Sequence, residues 1–463
     1  MSKKILLVEP DFKNKYPPLG LMKISTYHKN KGHSVFFYKG LSKELKGQIW
    51  DRIYVSSLFT FYWNKTIETI RYYRNSVKRL EDIYVGGVMA SLLKEDIQNT
   101  IPVTIIEGLL NEKGKLGYSD DHLIDSSVPD YSIINSQSNK LLNYSYPTSD
   151  CYIAYATRGC IRKCKFCAVH KIEPNFSNGL SIARQVNAIK RNFGEKKDLL
   201  LMDNNILASN KFEEIIEEIK SIGFEKGKNI FQNRRKRFVD FNQGIDARLL
   251  TRDKMRLLSE IAVKPLRIAF DNISDKEIYI EKVRWAAEVG IETLSNYVLF
   301  NFNDKPEDFY ERLKINVDLN EEFQKKGLKS QIWSFPMRYS PISGDFCKNR
   351  RFVGTWWNKK YIRAIQCVLI ATHGVVGPKK DFFERAFGKD IDEFRKILMM
   401  PEDYIIYREK YEKNDKVFKW EKTLGNFSKG SKIIDQFILS NNFRDTDKPT
   451  LPHETKELLK HYF

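Results

Sequence analysis

Three cysteines crowd one short stretch of the chain, ATRGCIRKCKFCA, where Cys160, Cys164 and Cys167 are spaced C-x3-C-x2-C. Clustered thiols in a 463-residue chain with ample core point to metal or catalysis, not to a disulfide framework. Zinc sites usually take four ligands, often as paired C-x2-C units, and no second pair exists here. Three thiolates on one loop suit an iron–sulfur cube with one iron left open to a non-protein ligand. The other three cysteines, Cys151, Cys347 and Cys367, are scattered and read as small buried hydrophobes.

A regular alternation of strand and helix patterns has to carry that loop. Strand-like CYIAYAT leads straight into the cysteines, and SIARQVNAIKRNFG follows as a helix. Then come DLLLMDNN, KFEEIIEEIKSIG, FVDFNQGIDA, RDKMRLLSEIA and PLRIAFDN, in strand–helix order. DKEIYIEKVRWAAEVG, SNYVLFNFND, PEDFYERLKINVDLNEEF and SQIWSFPMRY complete a series of six strands. Each strand body is apolar and its end abruptly polar: Asp203-Asn204-Asn205, Gln243-Gly244-Ile245-Asp246, Asp271-Asn272 and Asn301-Phe302-Asn303. Parallel barrels keep their chemistry at the C-terminal strand ends. A core accounts for the apolar bodies but not for amides and carboxylates gathered at one end. Any single one of these residues could instead cap the helix that follows it.

The C-x3-C-x2-C spacing, with Phe166 before the last cysteine, resembles the signature of the radical S-adenosylmethionine (SAM) superfamily. The resemblance implies an α/β fold whose residues 151–340 form a six-stranded partial (β/α) barrel. It implies a [4Fe-4S] cluster on Cys160, Cys164 and Cys167, with SAM's methionine part on the fourth iron. The ends of strands two to four are then expected to contact SAM or substrate through Asp203, Asn204, Gln243 and Asp246. Arg248 is the expected partner of SAM's carboxylate and Asp271 of the ribose hydroxyls. Val298 to Asn301 and Phe166 are expected near adenine. No glycine-glycine-glutamate signature follows strand two, which leaves the contact to SAM's amino group unassigned. The implied partner is an electron donor such as flavodoxin or ferredoxin.

Residues 1–110 read as a smaller Rossmann-like α/β unit, and residues 111–150 as a linker. Gly32 closes the first helix in the expected C-cap place. Pro17-Pro18-Leu19-Gly20 before that helix, and Gly86-Gly87 after a strand, resemble the cobalamin-binding domain that precedes many radical SAM barrels. Val128-Pro129-Asp130-Tyr131 resembles the Pro-Asp-Tyr element of the same group. The D-x-H-x-x-G element that supplies histidine to cobalt is absent, and Glu107-Gly108-Leu109-Leu110 stands where the family has G-E-G-E. Many members of the class lack the histidine element too, so cobalamin stays among the implied cofactors, beside a scaffold-only reading of the domain. His28 and His33 flank a helix end and are expected at the surface.

Residues 341–463 read as mostly helical and basic. In RRFVGTWWNKKYIR, Arg350, Arg351, Lys359, Lys360 and Arg363 interleave with Phe352, Trp356, Trp357 and Tyr361. Cations beside stacking rings suit single-stranded nucleic acid; an amphipathic segment burying its tryptophans gives the same pattern. Arg234-Arg235-Lys236-Arg237 is expected to be a solvated turn. The chain has 78 Lys+Arg against 59 Asp+Glu, a formal charge of +19, which fits either a polyanionic partner or a lysine-rich surface. With 42% hydrophobic and 13% aromatic residues, disorder is excluded. No apolar run approaches the roughly 20 residues that span a bilayer, and MSKKILLVEPDF lacks a signal-peptide core, so a cytoplasmic protein without a membrane partner is expected. Three readings remain open: a radical SAM enzyme on an unidentified substrate, including methyl transfer; a radical modifier of nucleic acid such as a tRNA base; and a non-catalytic iron–sulfur sensor.

Overall fold

The computed structural model describes residues 2–427, 431–443 and 451–463. The chain divides into two compact units, Met1–Pro265 with Ser340–Phe352, and Leu266–Tyr339 with Val353–Phe463.

The first unit begins with a five-stranded parallel sheet: β1 (Lys4–Glu9), β2 (Ser34–Lys39), β3 (Arg52–Ser57), β4 (Ile83–Gly87) and β5 (Thr104–Ile106). Their spatial order is β2-β1-β3-β4-β5. Ile5, Leu6, Leu7 and Val8 of β1 are all fully buried, as expected for a central parallel strand covered on both faces. Helix α1 (Leu19–Asn30) ends at Lys31 and Gly32, where the Gly32 N–H reaches the Lys29 carbonyl at 2.9 Å. The strand order reverses between β1 and β3, so a ligand crevice is expected outside their carboxyl ends.

Asp130 and Tyr131 join this sheet to the next. The Asp130 carboxylate accepts from Ser25 Oγ at 2.6 Å and pairs with Lys29 at 2.7 Å, both on α1. The Tyr131 hydroxyl donates to the Cys151 carbonyl (2.8 Å) and accepts from the Ile153 N–H (3.0 Å). That strand is β6 (Cys151–Ala154); β7 (Thr157–Arg158) and β8 (Ser177–Asn178) pair antiparallel. Strands β9 (Asp198–Leu201) and β10 (Val239–Phe241) complete a parallel sheet of order β10-β9-β6.

The second unit holds β11 (Leu266–Arg267), β12 (Thr293–Phe300) and β13 (Gln331–Arg338), again parallel, in the order β11-β12-β13. The six strands expected from the alternation therefore form two three-stranded parallel sheets, one in each unit. Helices follow, built around a core that contains Trp357, Phe394 and Trp420. Among the described residues, no helix is long and apolar enough to cross a membrane.

Two expectations of exposure fail. His28 is fully buried: α1 packs over β3, and the imidazole sits between His33 Nδ1 (2.8 Å) and the Tyr54 hydroxyl (2.9 Å). Arg237 is only 4% exposed, because its guanidinium stacks on Phe224 at 4.2 Å and donates to the Lys196 and Lys197 carbonyls. In both cases a polar side chain meets partners that lie remote in sequence, which local charge patterning does not reveal.

Candidate active site at the cysteine loop

The cysteine loop leaves β7 and returns at β8, so the antiparallel pair closes its base: Thr157 faces Asn178 and Arg158 faces Ser177. Gly159 begins the loop at φ +68°, and a β-carbon there would lie 2.3 Å from the Asn175 carbonyl oxygen. Only glycine fits so close an approach in that conformation. Cys160, Cys164 and Cys167 are all half-buried, and the Cys167 N–H closes a turn onto the Cys164 carbonyl at 3.0 Å.

Side chains from the ends of β9 and β10 hold this loop. The Asp203 Oδ1 accepts from the Ala156 N–H (3.0 Å), the Thr157 N–H (2.6 Å) and the Thr157 hydroxyl (2.7 Å). Burial outweighs these three donors and pushes the Asp203 carboxyl up to about 6. Asn205 donates from Nδ2 to Cys160 Sγ at 3.5 Å, and the Arg162 N–H reaches the same sulfur at 3.3 Å. From the end of β10, Asp246 Oδ2 accepts from Arg162 Nε at 3.1 Å, and Asp246 Oδ1 accepts from Arg248 Nε at 2.7 Å. These two arginines hold the Asp246 carboxyl below the usual range although burial opposes them.

Asp203, Asn204 and Asp246 therefore converge on the loop. Gln243 is exposed after β10, Phe166 is half-buried within the loop, and Arg248 is ion-paired to Asp246. The sequence reading missed Asn205's contact to Cys160, although it noted the residue. It missed Glu173 altogether: Oε2 accepts from the Gly159 N–H at 2.7 Å and from Asn204 Nδ2 at 3.2 Å. A lone glutamate after the cysteines carries no pattern that would single it out.

The remaining three residues lie in the second unit. The Asp271 carbonyl accepts from Arg312 Nη1 at 3.0 Å. Val298 is buried in the apolar cluster that contains Phe309 and Trp357. Asn301 sits at φ +67° and its Oδ1 accepts from the Gly354 N–H at 2.8 Å.

Among the described residues no three His, Cys, Asp or Glu side chains are already assembled as a metal-ligand group. The donor set nevertheless fits a cluster. Three half-buried thiols share one loop, and two N–H donors point at Cys160 Sγ, where sulfur carries negative charge once it binds iron. Around the loop, Asp203 Oδ2, Asn205 Oδ1 and Arg158 Nε are buried without a hydrogen-bond partner. Such atoms are costly unless a bound polar group satisfies them.

The β1/β3 crevice does not fit a corrinoid. Phe12, after β1, is 1% exposed and stacks on Tyr62, after β3, with ring centroids 4.7 Å apart. Lys65 Nζ donates to the Asp11 carbonyl at 2.6 Å, and Arg350 lies over the Phe61 ring at 4.0 Å. The Gly86-Gly87 pair has its own structural reason: a β-carbon at Gly87 would lie 2.2 Å from the Ser57 carbonyl oxygen. His28 is already committed to His33 and Tyr54.

The Rossmann-like sheet followed by parallel β/α units is a fold this chain shares with known structures. Two of the solved structures that share it are radical SAM enzymes. One is the radical SAM methyltransferase TsrM from Kitasatospora setae, bound to tryptophan substrate and a SAM analogue. It is 12% identical, with a TM-score of 0.50 over 79% of this chain and 77% of that one. The other is apo OxsB, a cobalamin-dependent SAM radical enzyme, 14% identical, with a TM-score of 0.52 over 100% of this chain and 78% of that one. No family model matches the chain, and no curated protein sequence does.

Proposed function

We propose that this chain is a radical SAM enzyme whose Cys160, Cys164 and Cys167 hold a [4Fe-4S] cluster, and which removes a hydrogen atom from its substrate. The observation that carries this reading is the anchoring of the cysteine loop by Asp203, Asn205 and Asp246, from the ends of the two neighbouring strands. A cluster held by Cys160, Cys164 and Cys167 would supply the electron for reductive cleavage of SAM at its sulfonium. An electron donor of the flavodoxin or ferredoxin class is the proposed source of that electron.

The protein's own part is binding and orientation. Asp203 Oδ2 and Asn205 Oδ1, both buried acceptors without partners, are suited to SAM's ammonium group. Their position after β9 supplies acceptors where the missing glycine-glycine-glutamate element would stand. Arg248, oriented by Asp246, is the proposed cation for SAM's carboxylate. Asn204 and Gln243 are proposed to line the same site. Phe166 is proposed to pack on adenine; for the second unit, Val298 to Asn301 are proposed for adenine and Asp271 for the ribose. Asn205 and Arg162 N–H donors toward Cys160 Sγ lower the cost of negative charge on the sulfur.

Two measurements test the reading. Anaerobic reconstitution should load about four irons per chain, and replacing Cys160, Cys164 and Cys167 together by Ala should abolish loading. Replacing Cys151, Cys347 and Cys367 together should leave iron content unchanged. The loaded protein, given SAM and dithionite, should release methionine and 5′-deoxyadenosine. Full iron content without any SAM cleavage would favour a sensory iron–sulfur protein instead.

A further inference from the structure

A chain of charged groups, buried at Lys23 and half-buried at Asp125, Arg158 and Glu173, runs from the first helix of the N-terminal sheet to the cysteine loop. Lys23, on α1, is 7% exposed. Its ammonium donates to the Asp125 carbonyl and the Tyr155 hydroxyl, and lies 3.6 Å from Asp125 Oδ1. The same Asp125 Oδ1 accepts from Arg158 Nη2 at 2.5 Å. The Arg158 guanidinium lies over the Tyr155 ring at 3.7 Å, and its Nη1 reaches Glu173 Oε1 at 3.3 Å. Glu173 Oε2 then accepts from the Gly159 N–H at 2.7 Å, one residue before Cys160.

We propose that Lys23 is a positioning residue for the cysteine loop, acting through Asp125, Arg158 and Glu173. The inference deepens the cluster assignment above and rests on it. Two cations and two carboxylates balance in this chain, and Asp125 is shared between Lys23 and Arg158. Without the Lys23 ammonium, Arg158 becomes the sole cation for Asp125. Its guanidinium is then drawn toward that half-buried carboxylate and away from Glu173, because Asp125 has lost one of its two cations. Glu173 is then held by Asn204 Nδ2 without its cation, and the acceptor of the Gly159 N–H at the root of the loop is less firmly fixed. The N-terminal domain thereby gains a task that needs no ligand of its own: it sets where the first cysteine sits. Outer partners of this kind typically change metal affinity about 10–100-fold when removed.

The test compares wild type with Lys23→Met, Lys23→Arg, Glu173→Gln and a control on the same helix. The control is Lys29→Met, since Lys29 pairs with Asp130 outside this chain. In metal-free protein, alkylation rates are read separately at Cys160, Cys164 and Cys167 by mass spectrometry. In reconstituted protein, iron release to a chelator and the electron paramagnetic resonance spectrum of the reduced cluster are recorded, well below the melting temperature. Lys23→Met and Glu173→Gln should release iron about tenfold faster, shift the spectrum and speed alkylation of Cys160. Lys23→Arg should restore the wild-type values, and Lys29→Met should never leave them. Wild-type alkylation, release and spectrum in both Lys23→Met and Glu173→Gln would overturn the proposal. Failure of wild type to load iron would sink the cluster assignment, while the alkylation rates would still decide the positioning role.

Discussion

The Asp203 carboxylate receives the Thr157 backbone N–H at 2.6 Å and the Thr157 hydroxyl at 2.7 Å. One buried side chain thus ties the end of β9 to the strand that launches the cysteine loop. Burial raises its carboxyl from 3.8 to about 6. A raised folded value means the native state holds the proton more tightly than the unfolded chain. Its stabilising contribution is therefore full below about pH 3.8 and is lost as pH rises to about 6. The slope is about 1.4 kcal/mol per pH unit, roughly 3 kcal/mol in all. Asp203→Asn, which keeps an acceptor for all three donors, should flatten the stability profile between pH 4 and 6 in urea titrations. An unchanged slope would show that Asp203 does not titrate there.

His28 gives the opposite sign. Burial, with His33, Arg52, Lys3 and Lys31 adding positive charge nearby, depresses its imidazole from 6.5 to about 3. The neutral ring stabilises the fold fully above pH 6.5, and that contribution is lost as pH falls toward 3. The whole effect is of order 5 kcal/mol. Wild type should weaken steadily on acidification from pH 6.5 to 4, and His28→Gln should remove most of that slope. Equal acid sensitivity in the variant would count against a buried neutral His28.

The β1/β3 crevice predicts the outcome of a corrinoid titration. Phe12 on Tyr62 and Arg350 over Phe61 occupy it. Purified protein mixed with hydroxocobalamin and desalted should retain far less than one equivalent, read by visible absorption. Stoichiometric retention would reopen this crevice as a cofactor site and raise methyl transfer to the leading reaction.

Trp356 and Trp357 should part company. Trp357 is 6% exposed and its Nε1 donates to the Asp304 carbonyl at 2.9 Å, whereas Trp356 is 55% exposed. Trp357→Ala should destabilise the fold by about 3–5 kcal/mol, and Trp356→Ala by under about 0.5 kcal/mol. Lys360 is fully buried and donates to the Met400 carbonyl, while Arg363 pairs with Glu402. If this segment still serves a nucleic-acid strand, Trp356→Ala should cost roughly 1–3 kcal/mol of salt-sensitive RNA affinity. Wild type without RNA affinity at low salt would leave the charge of +19 as surface composition.

What could be read from the residues alone was periodic or tightly spaced. C-x3-C-x2-C points to a metal loop in the proposed reading because three soft ligands within eight residues need no fold to bring them together. The alternation of apolar strand bodies and amphipathic helices announced parallel β/α units, and the polar strand ends pointed to Asp203 and Asp246. Tertiary structure decided everything that depends on distant partners. It buried His28 against Tyr54 and Arg237 against Phe224, and it placed Phe12 on Tyr62 across the β1/β3 crevice. It also linked Lys23 to Glu173 through Asp125 and Arg158. A charge or ring in sequence has no direction until packing supplies its neighbour. Burial then fixes both the energy of that contact and the proton equilibrium of the group that makes it.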